Sequence, residues 1–336
     1  MQSHNTQRPL LPLPLVLVTA LAGSFIRPFG QPVQQPAAQG YLLAGLAAAP
    51  ALCLALCLYG RAASSRRMPG WFCLALAGVL ALSAAMELLQ CQRFYNYVLA
   101  DQLSLFWFLA LALGVAGCAA AYSLRALNRA SVLVLALLGL SLALLLASVA
   151  PQVRFENLLY PADPLGQAGL GLLARTLLLP EYLLLALLHG QKKPPRAALY
   201  RGYALVLGVG FGLESLLAAL AESVLGAAGL RQSQPIYTIA RLGGISVFRR
   251  LDAVHVGVWL LLFYLKICLY FWAFLWLVRK ALPRVRRQVA GLAGLLLTLG
   301  LFGLLRGFAG AAGAYFVQQG LLWLLLISAA FWRKQP

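Results

Sequence analysis

Three ionisable residues stand where the surrounding sequence offers them no water. Glu181, Glu214 and Lys266 each fall near the middle of a long apolar run. An ionised side chain at the centre of a membrane helix costs about 2.5–3.5 kcal/mol on insertion scales, so such residues face a bundle interior or a cavity and usually have a partner. Lys266 lies roughly 18 Å into a run that begins near residue 254, at about 1.5 Å rise per residue. Its charge permits a pair with Glu181 across helices. Such residues suit the binding of a charged solute or a proton at bilayer depth.

Glu181 follows Pro180 inside an otherwise helical run. Proline lacks a backbone donor and frees a carbonyl one turn earlier, and Gly166, Gly169 and Gly171 loosen the start of the same run. An interrupted membrane helix is tolerated where it is buried in protein or lines a cavity. In transporters such interruptions hold substrate and coupling ions near the midplane. A kinked packing helix with a neutral, hydrogen-bonded Glu is the competing reading of the same residues. Glu214 sits beside Gly208, Gly210 and Gly212. The Gly208–Gly212 spacing favours close helix contact, so packing is its expected role. Glu222 and Glu87, nearer the ends of their runs, read as interfacial.

Catalytic constellations are missing. The three histidines, His4, His189 and His255, are scattered, and no His-x-x-Glu-His, Gly-x-Ser-x-Gly or Walker loop occurs. No extramembrane Asp pair suggests group transfer. Cys53 and Cys57 share a helix face, but no His or carboxylate stands beside them, so they read as small packing residues. The six cysteines have no spacing that suggests a disulfide framework. The expectation is a non-enzymatic protein with no cofactor and no metal.

The elements that must position these residues follow from composition. Of 336 residues, 62% are hydrophobic and 10% charged, with a mean hydropathy of +0.83. A soluble domain has about 45–50% apolar and about 25% charged residues. That excludes a soluble globular protein, a disordered chain and a single-span anchored domain. A membrane helix needs about 20 apolar residues. Ten apolar runs fall near 10–29, 40–60, 70–90, 103–122, 131–150, 168–189, 198–226, 254–278, 288–306 and 312–332. No polar stretch between them is long enough for a second domain, so residues 1–336 read as one transmembrane domain in an all-α membrane protein. In the first run, Ala20-Leu21-Ala22 after a stretch beginning at Leu10 resembles a signal-peptide cleavage site. Pro12, Pro14 and the return of apolar character at Phe25-Ile26 equally fit a first helix broken near Gly23-Ser24.

The net charge of +19 can signal nucleic acid. The loop distribution points elsewhere. With the N-terminus inside, seventeen basic residues fall in inner segments, eight in outer ones and two within runs. This alternation fits ten helices with both termini cytoplasmic. The expected surroundings are a lipid bilayer, with no nucleic-acid partner. The outer loop 227–253 is the exception, with four Arg. Residues 235–248 within it read as one or two short helices across the outer face. Trp71, Trp107, Tyr160 and Trp332 read as interfacial belts, and Phe271, Trp272, Phe274 and Trp276 as lipid- or core-packing side chains.

Three stretches resemble the endospore germination permease family, the B subunit of nutrient germinant receptors, within the amino acid–polyamine–organocation transporter superfamily. The clearest runs from Gln234-Pro235-Ile236-Tyr237 to Phe248-Arg249-Arg250-Leu251-Asp252, then Val258-Trp259 and the aromatic run to Phe274. The second joins Asn157-Leu158-Leu159-Tyr160-Pro161 to Leu179-Pro180-Glu181, with Pro180 where the family usually has Gly. The third, Tyr122 to Arg129-Ala130, is similar to the family segment ending in Arg before helix five. The resemblance implies a five-plus-five inverted repeat with helices one and six interrupted. It implies a small nutrient, an amino acid, bound near Gly23, Ser24, Pro180, Glu181 and Lys266. Arg129, Glu214, Arg250 and Asp252 would serve structure or signalling. The implied partners are a membrane-anchored A subunit and a C-subunit lipoprotein, in the spore inner membrane or the bacterial cell membrane. A stand-alone secondary amino acid transporter is the alternative that the same fold would serve.

Overall fold

A computed structural model describes residues 12–25, 38–65, 68–99, 104–121, 123–158, 179–188, 196–232, 234–243, 252–307 and 311–331. Among these residues all regular structure is helical. The α-helices are α1 (Leu13–Phe25), α2 (Ala38–Ser65), α3 (Gly70–Leu99), α4 (Leu105–Ala121), α5 (Leu124–Val149) and α6 (Pro180–Leu188). They continue with α7 (Arg196–Leu225), α8 (Pro235–Leu242), α9 (Asp252–Ala281), α10 (Arg287–Gly307) and α11 (Ala311–Ser328). Each of the ten apolar runs overlaps one of these helices, and α8 falls between the seventh and eighth runs.

Five helical segments are long and apolar enough to cross a membrane: Gly70–Val98, Leu124–Gln152, Leu199–Leu225, Asp252–Ala281 and Arg287–Gly307. Shorter apolar helices cover Leu13–Gly23, Ala48–Arg61, Phe106–Gly117 and Gly313–Ser328. The chain is therefore an all-α integral membrane protein, since helices satisfy their own backbone groups where no water can.

The helix ends follow local chemistry. α1 tolerates Pro14 in its first turn, where amide donors have no intrahelical partner anyway. One of those amides, Leu15 N, donates to Asn128 Oδ1 of α5 at 3.4 Å. Ser123 caps α5, accepting from Ala126 N through its side chain. α9 opens on Asp252 and closes on Arg279 and Lys280, charges that match the two ends of a helix dipole.

Packing is centred on α3 and α9, which share the most extensive contact in the bundle. α1 is buried nearly all round, against α5, α6, α7 and α9. α2 packs along α7, where Gly60 gives the room: a Cβ there would stand 2.5 Å from Leu199 Cδ2. The spacing Gly208–Gly212 does not do this work. A Cβ added at Gly208, Gly210 or Gly212 meets no atom within 4 Å, and Gly208 and Gly212 face out of the bundle. Small-residue spacing makes close approach possible, but a neighbouring helix must lie on that face.

The first helix is likewise unbroken at the expected point. α1 runs through Gly23 and Ser24 and ends at Phe25. Glycine and serine lower helix propensity only modestly, and the surrounding burial outweighs it. Residues 26–37 lie outside the described residues.

Candidate functional site

Three helices meet around Lys266. The residue stands midway along the 30-residue α9, about 21 Å from Asp252 along the axis. Its ammonium contacts Glu87 Oε1 of α3 and lies 3.4 Å from Glu181 Oε1 of α6. Tyr270, one turn further along α9 and on the same face, donates its hydroxyl to Glu181 Oε1 at 2.9 Å. The Lys266 ammonium also sits 5.9 Å from the Tyr270 ring centroid. Glu181, Lys266 and Tyr270 are all buried, while the Glu87 side chain is 16% exposed. The second carboxylate oxygen of Glu181, Oε2, is buried and has no hydrogen-bond partner among the described residues.

The position of α6 follows from this contact. Pro180 is its first helical residue and Glu181 its second. Because Glu181 touches the centre of α9, α6 begins in the middle of the bundle. Proline suits a first helical position, where its missing N–H leaves no bond unmade. A carboxylate in the first turn meets the positive end of the helix dipole. Six of the residues after it, Tyr182 to Leu187, are buried. The Tyr203 hydroxyl of α7 donates to Tyr182 O at 2.9 Å and anchors this turn. Residues 159–178, including Gly166, Gly169 and Gly171, lie outside the described residues.

The structure thus brings Glu181 and Lys266 together. Glu87 is a correction: it is not interfacial but in the same cluster. The apolar run fades near residue 90, whereas α3 continues through Gln90, Gln92 and Arg93 to Leu99. That extension places Glu87 inside the helix. Tyr270 was also missed, although its i+4 spacing from Lys266 marks it as a neighbour on one face.

Other expected residues do not join the cluster. Glu214 is half-buried on α7 and has a polar or electrostatic contact of its own. Arg129 is exposed near the start of α5, and its neighbour Asn128 makes the link to α1. Asp252 opens α9, and Arg250 lies outside the described residues. Gly23 is half-buried on α1, near its end.

A second constellation lies at the Asp252 end of α9. Trp259 stacks on Phe25, the last residue of α1, with centroids 5.6 Å apart. It also stacks on His255 at 6.0 Å and leans on Phe94 of α3 at 6.4 Å. Phe94 meets Tyr237 of α8 edge-on at 5.8 Å. The His255 ring shares a hydrogen bond with Ser141 Oγ of α5 at 2.8 Å, through Nδ1. Trp259 and Lys266 are two turns apart on one face of α9, as are Phe94 and Glu87 on α3. A layer of rings therefore covers the charged cluster roughly 10 Å away along the helices. α8 is amphipathic, with Pro235, Ile236, Tyr237, Ile239 and Ala240 buried. It packs against α5, α7 and α9 and supplies the outermost ring of that layer.

This arrangement can hold a charged group chemically. It has a helix beginning in the middle of the bundle, one free carboxylate oxygen, an ammonium and an apolar cover. No protein-family model matches the chain, and no curated protein sequence matches it either.

Proposed function

We propose that this protein is a permease-type receptor subunit for spore germination, binding a small nutrient germinant, an amino acid, in the membrane and signalling to partner subunits. The observation that carries this reading is the start of α6 at the centre of the bundle, with Glu181 turned to Lys266 and one of its oxygens free. A zwitterion needs both a cationic and an anionic partner. Glu181 Oε2 offers the contact for an amine. Lys266, or helix N-terminal amides, offers one for a carboxylate.

In this reading the ten apolar runs are ten spans in a five-plus-five inverted repeat, with both termini cytoplasmic. The sixth helix is the interrupted one, while the first runs unbroken through Gly23 and Ser24. Gly23 and Ser24, close to the end of α1, and Pro180, Glu181 and Lys266 frame the ligand. Arg129, Glu214, Arg250 and Asp252 serve structure or signalling. The partners are an A subunit with soluble domains and a C-subunit lipoprotein, in the spore inner membrane or the cell membrane. The ligand must bind one conformational state better than the other to send a signal. Movement of the ring layer at Trp259 is the proposed switch, because Phe25 joins it to α1 and Tyr237 joins it to α8.

The test is germination. Spores lacking the gene are expected to lose their response to at least one nutrient in an amino acid panel, and spores carrying Glu181→Gln are expected to show the same loss. Normal germination of both overturns the receptor reading. If the purified protein in liposomes also takes up an amino acid, the result assigns it instead to stand-alone transport.

A further inference from the structure

The charges at the site do not balance. Two carboxylates, Glu87 and Glu181, meet one ammonium, Lys266. With all three ionised the cluster carries one uncompensated negative charge in a region with little water.

Its neighbours supply no second cation among the described residues. α3 contributes Glu87 itself and the buried Cys91, and α9 contributes Lys266 and Tyr270. α7 contributes Tyr203, whose hydroxyl donates to a backbone carbonyl. α2 packs against α6 and carries the buried Cys57 and Tyr59. α1 brings Thr19, whose hydroxyl donates to Leu15 O of its own helix at 2.9 Å. Each of these apart from Lys266 is neutral or negative in every protonation state.

The cluster does not suit a metal cation. Hard cations take cages of several oxygens, and among the described residues no group of three or more His, Cys, Asp or Glu gathers to hold a metal ion. One free oxygen, Glu181 Oε2, is enough for a proton. We propose that the Glu87–Lys266–Glu181 cluster is a binding site for one exchangeable proton, shared between the two carboxyls. Like charges that share a site cannot both ionise freely, so the proton belongs to the pair. The inference rests on this geometry and not on the identity of the nutrient.

Infrared spectroscopy counts protonated carboxyls directly, because the acid C=O stretch is separate from the carboxylate bands. The full-length protein is measured in lipid nanodiscs at neutral pH, without sodium, and variants are subtracted from wild type. Glu87→Gln and Glu181→Gln each restore a one-to-one charge balance. Each is expected to remove one acid band equivalent. Lys266→Met removes the cation and is expected to add one. If neither Gln variant removes an acid band, the proposal is overturned, whatever Lys266→Met does. Both Gln changes preserve side-chain size, so they decide the matter even if Lys266→Met does not fold.

Discussion

α9 and α10 are consecutive helices and equally apolar in sequence, yet 78% of the apolar stretch of α9 is buried in the bundle and only 28% of that of α10. On α10, Leu292, Leu296 and Leu304 face outward, and the buried strip is Ala290, Gly294, Thr298, Phe302 and Leu305. On α9 the buried set includes His255, Trp259, Lys266 and Tyr270. Leucine is equally at home against lipid and against another helix, so apolar content cannot separate the two settings. Polar residues can, because lipid offers them no partner. Lys266 marks α9 as interior in a way that its leucines do not.

The largest effect on this contrast is expected from Lys266→Met. It leaves Glu87 and Glu181 facing each other without a cation. Removing one partner of a buried ion pair costs about 3–5 kcal/mol, and thermal unfolding in detergent would report it as a marked loss of stability. If Lys266→Met unfolds like wild type, α9 is not organised around this charge. Tyr270→Phe deletes one hydrogen bond to the carboxylate of Glu181 and is expected to cost about 1.5–3 kcal/mol in the same assay.

Gly294→Val probes the one strip where α10 does touch α9. A Cβ at Gly294 would stand 2.6 Å from Phe274 Cε1. The ring must turn aside, at a cost of about 1–3 kcal/mol for an overpacked contact. The smallest effect is expected on the outward face: Leu296 is 60% exposed, and Leu296→Ala is expected to stay within about 0.5 kcal/mol. A large loss of stability there would mean that another helix or a partner covers α10.

The same contrast explains how much of the molecule is legible in the sequence. The ten runs were visible as long apolar stretches, and each overlaps a helix, five of them long and apolar enough to cross a bilayer. Their ends were less visible. Gln90, Gln92 and Arg93 lower the hydropathy of α3 before the helix stops, since a helix needs only its own backbone bonds to continue. Hydropathy alone consequently puts Glu87 at an interface, whereas it sits beside Lys266 among α3, α6 and α9. The start of α6 at Pro180 was legible because proline has no N–H to donate and suits a first helical position. The outward direction of Gly208 and Gly212 was not, because spacing along one helix says nothing about what lies opposite. The ring layer around Trp259 depends on α1, α3, α8 and α9 together, and no single stretch encodes it.

The central claim is that the start of α6 beside Lys266 binds a ligand. Equilibrium binding of a radiolabelled amino acid panel to the purified protein in nanodiscs tests it most directly. Wild type, Glu181→Gln and the outward-facing Leu296→Ala would be compared. The account predicts that at least one amino acid binds wild type and Leu296→Ala alike and binds Glu181→Gln about tenfold or more weakly, a difference of about 1.4 kcal/mol. Equal affinity for wild type and Glu181→Gln would contradict it.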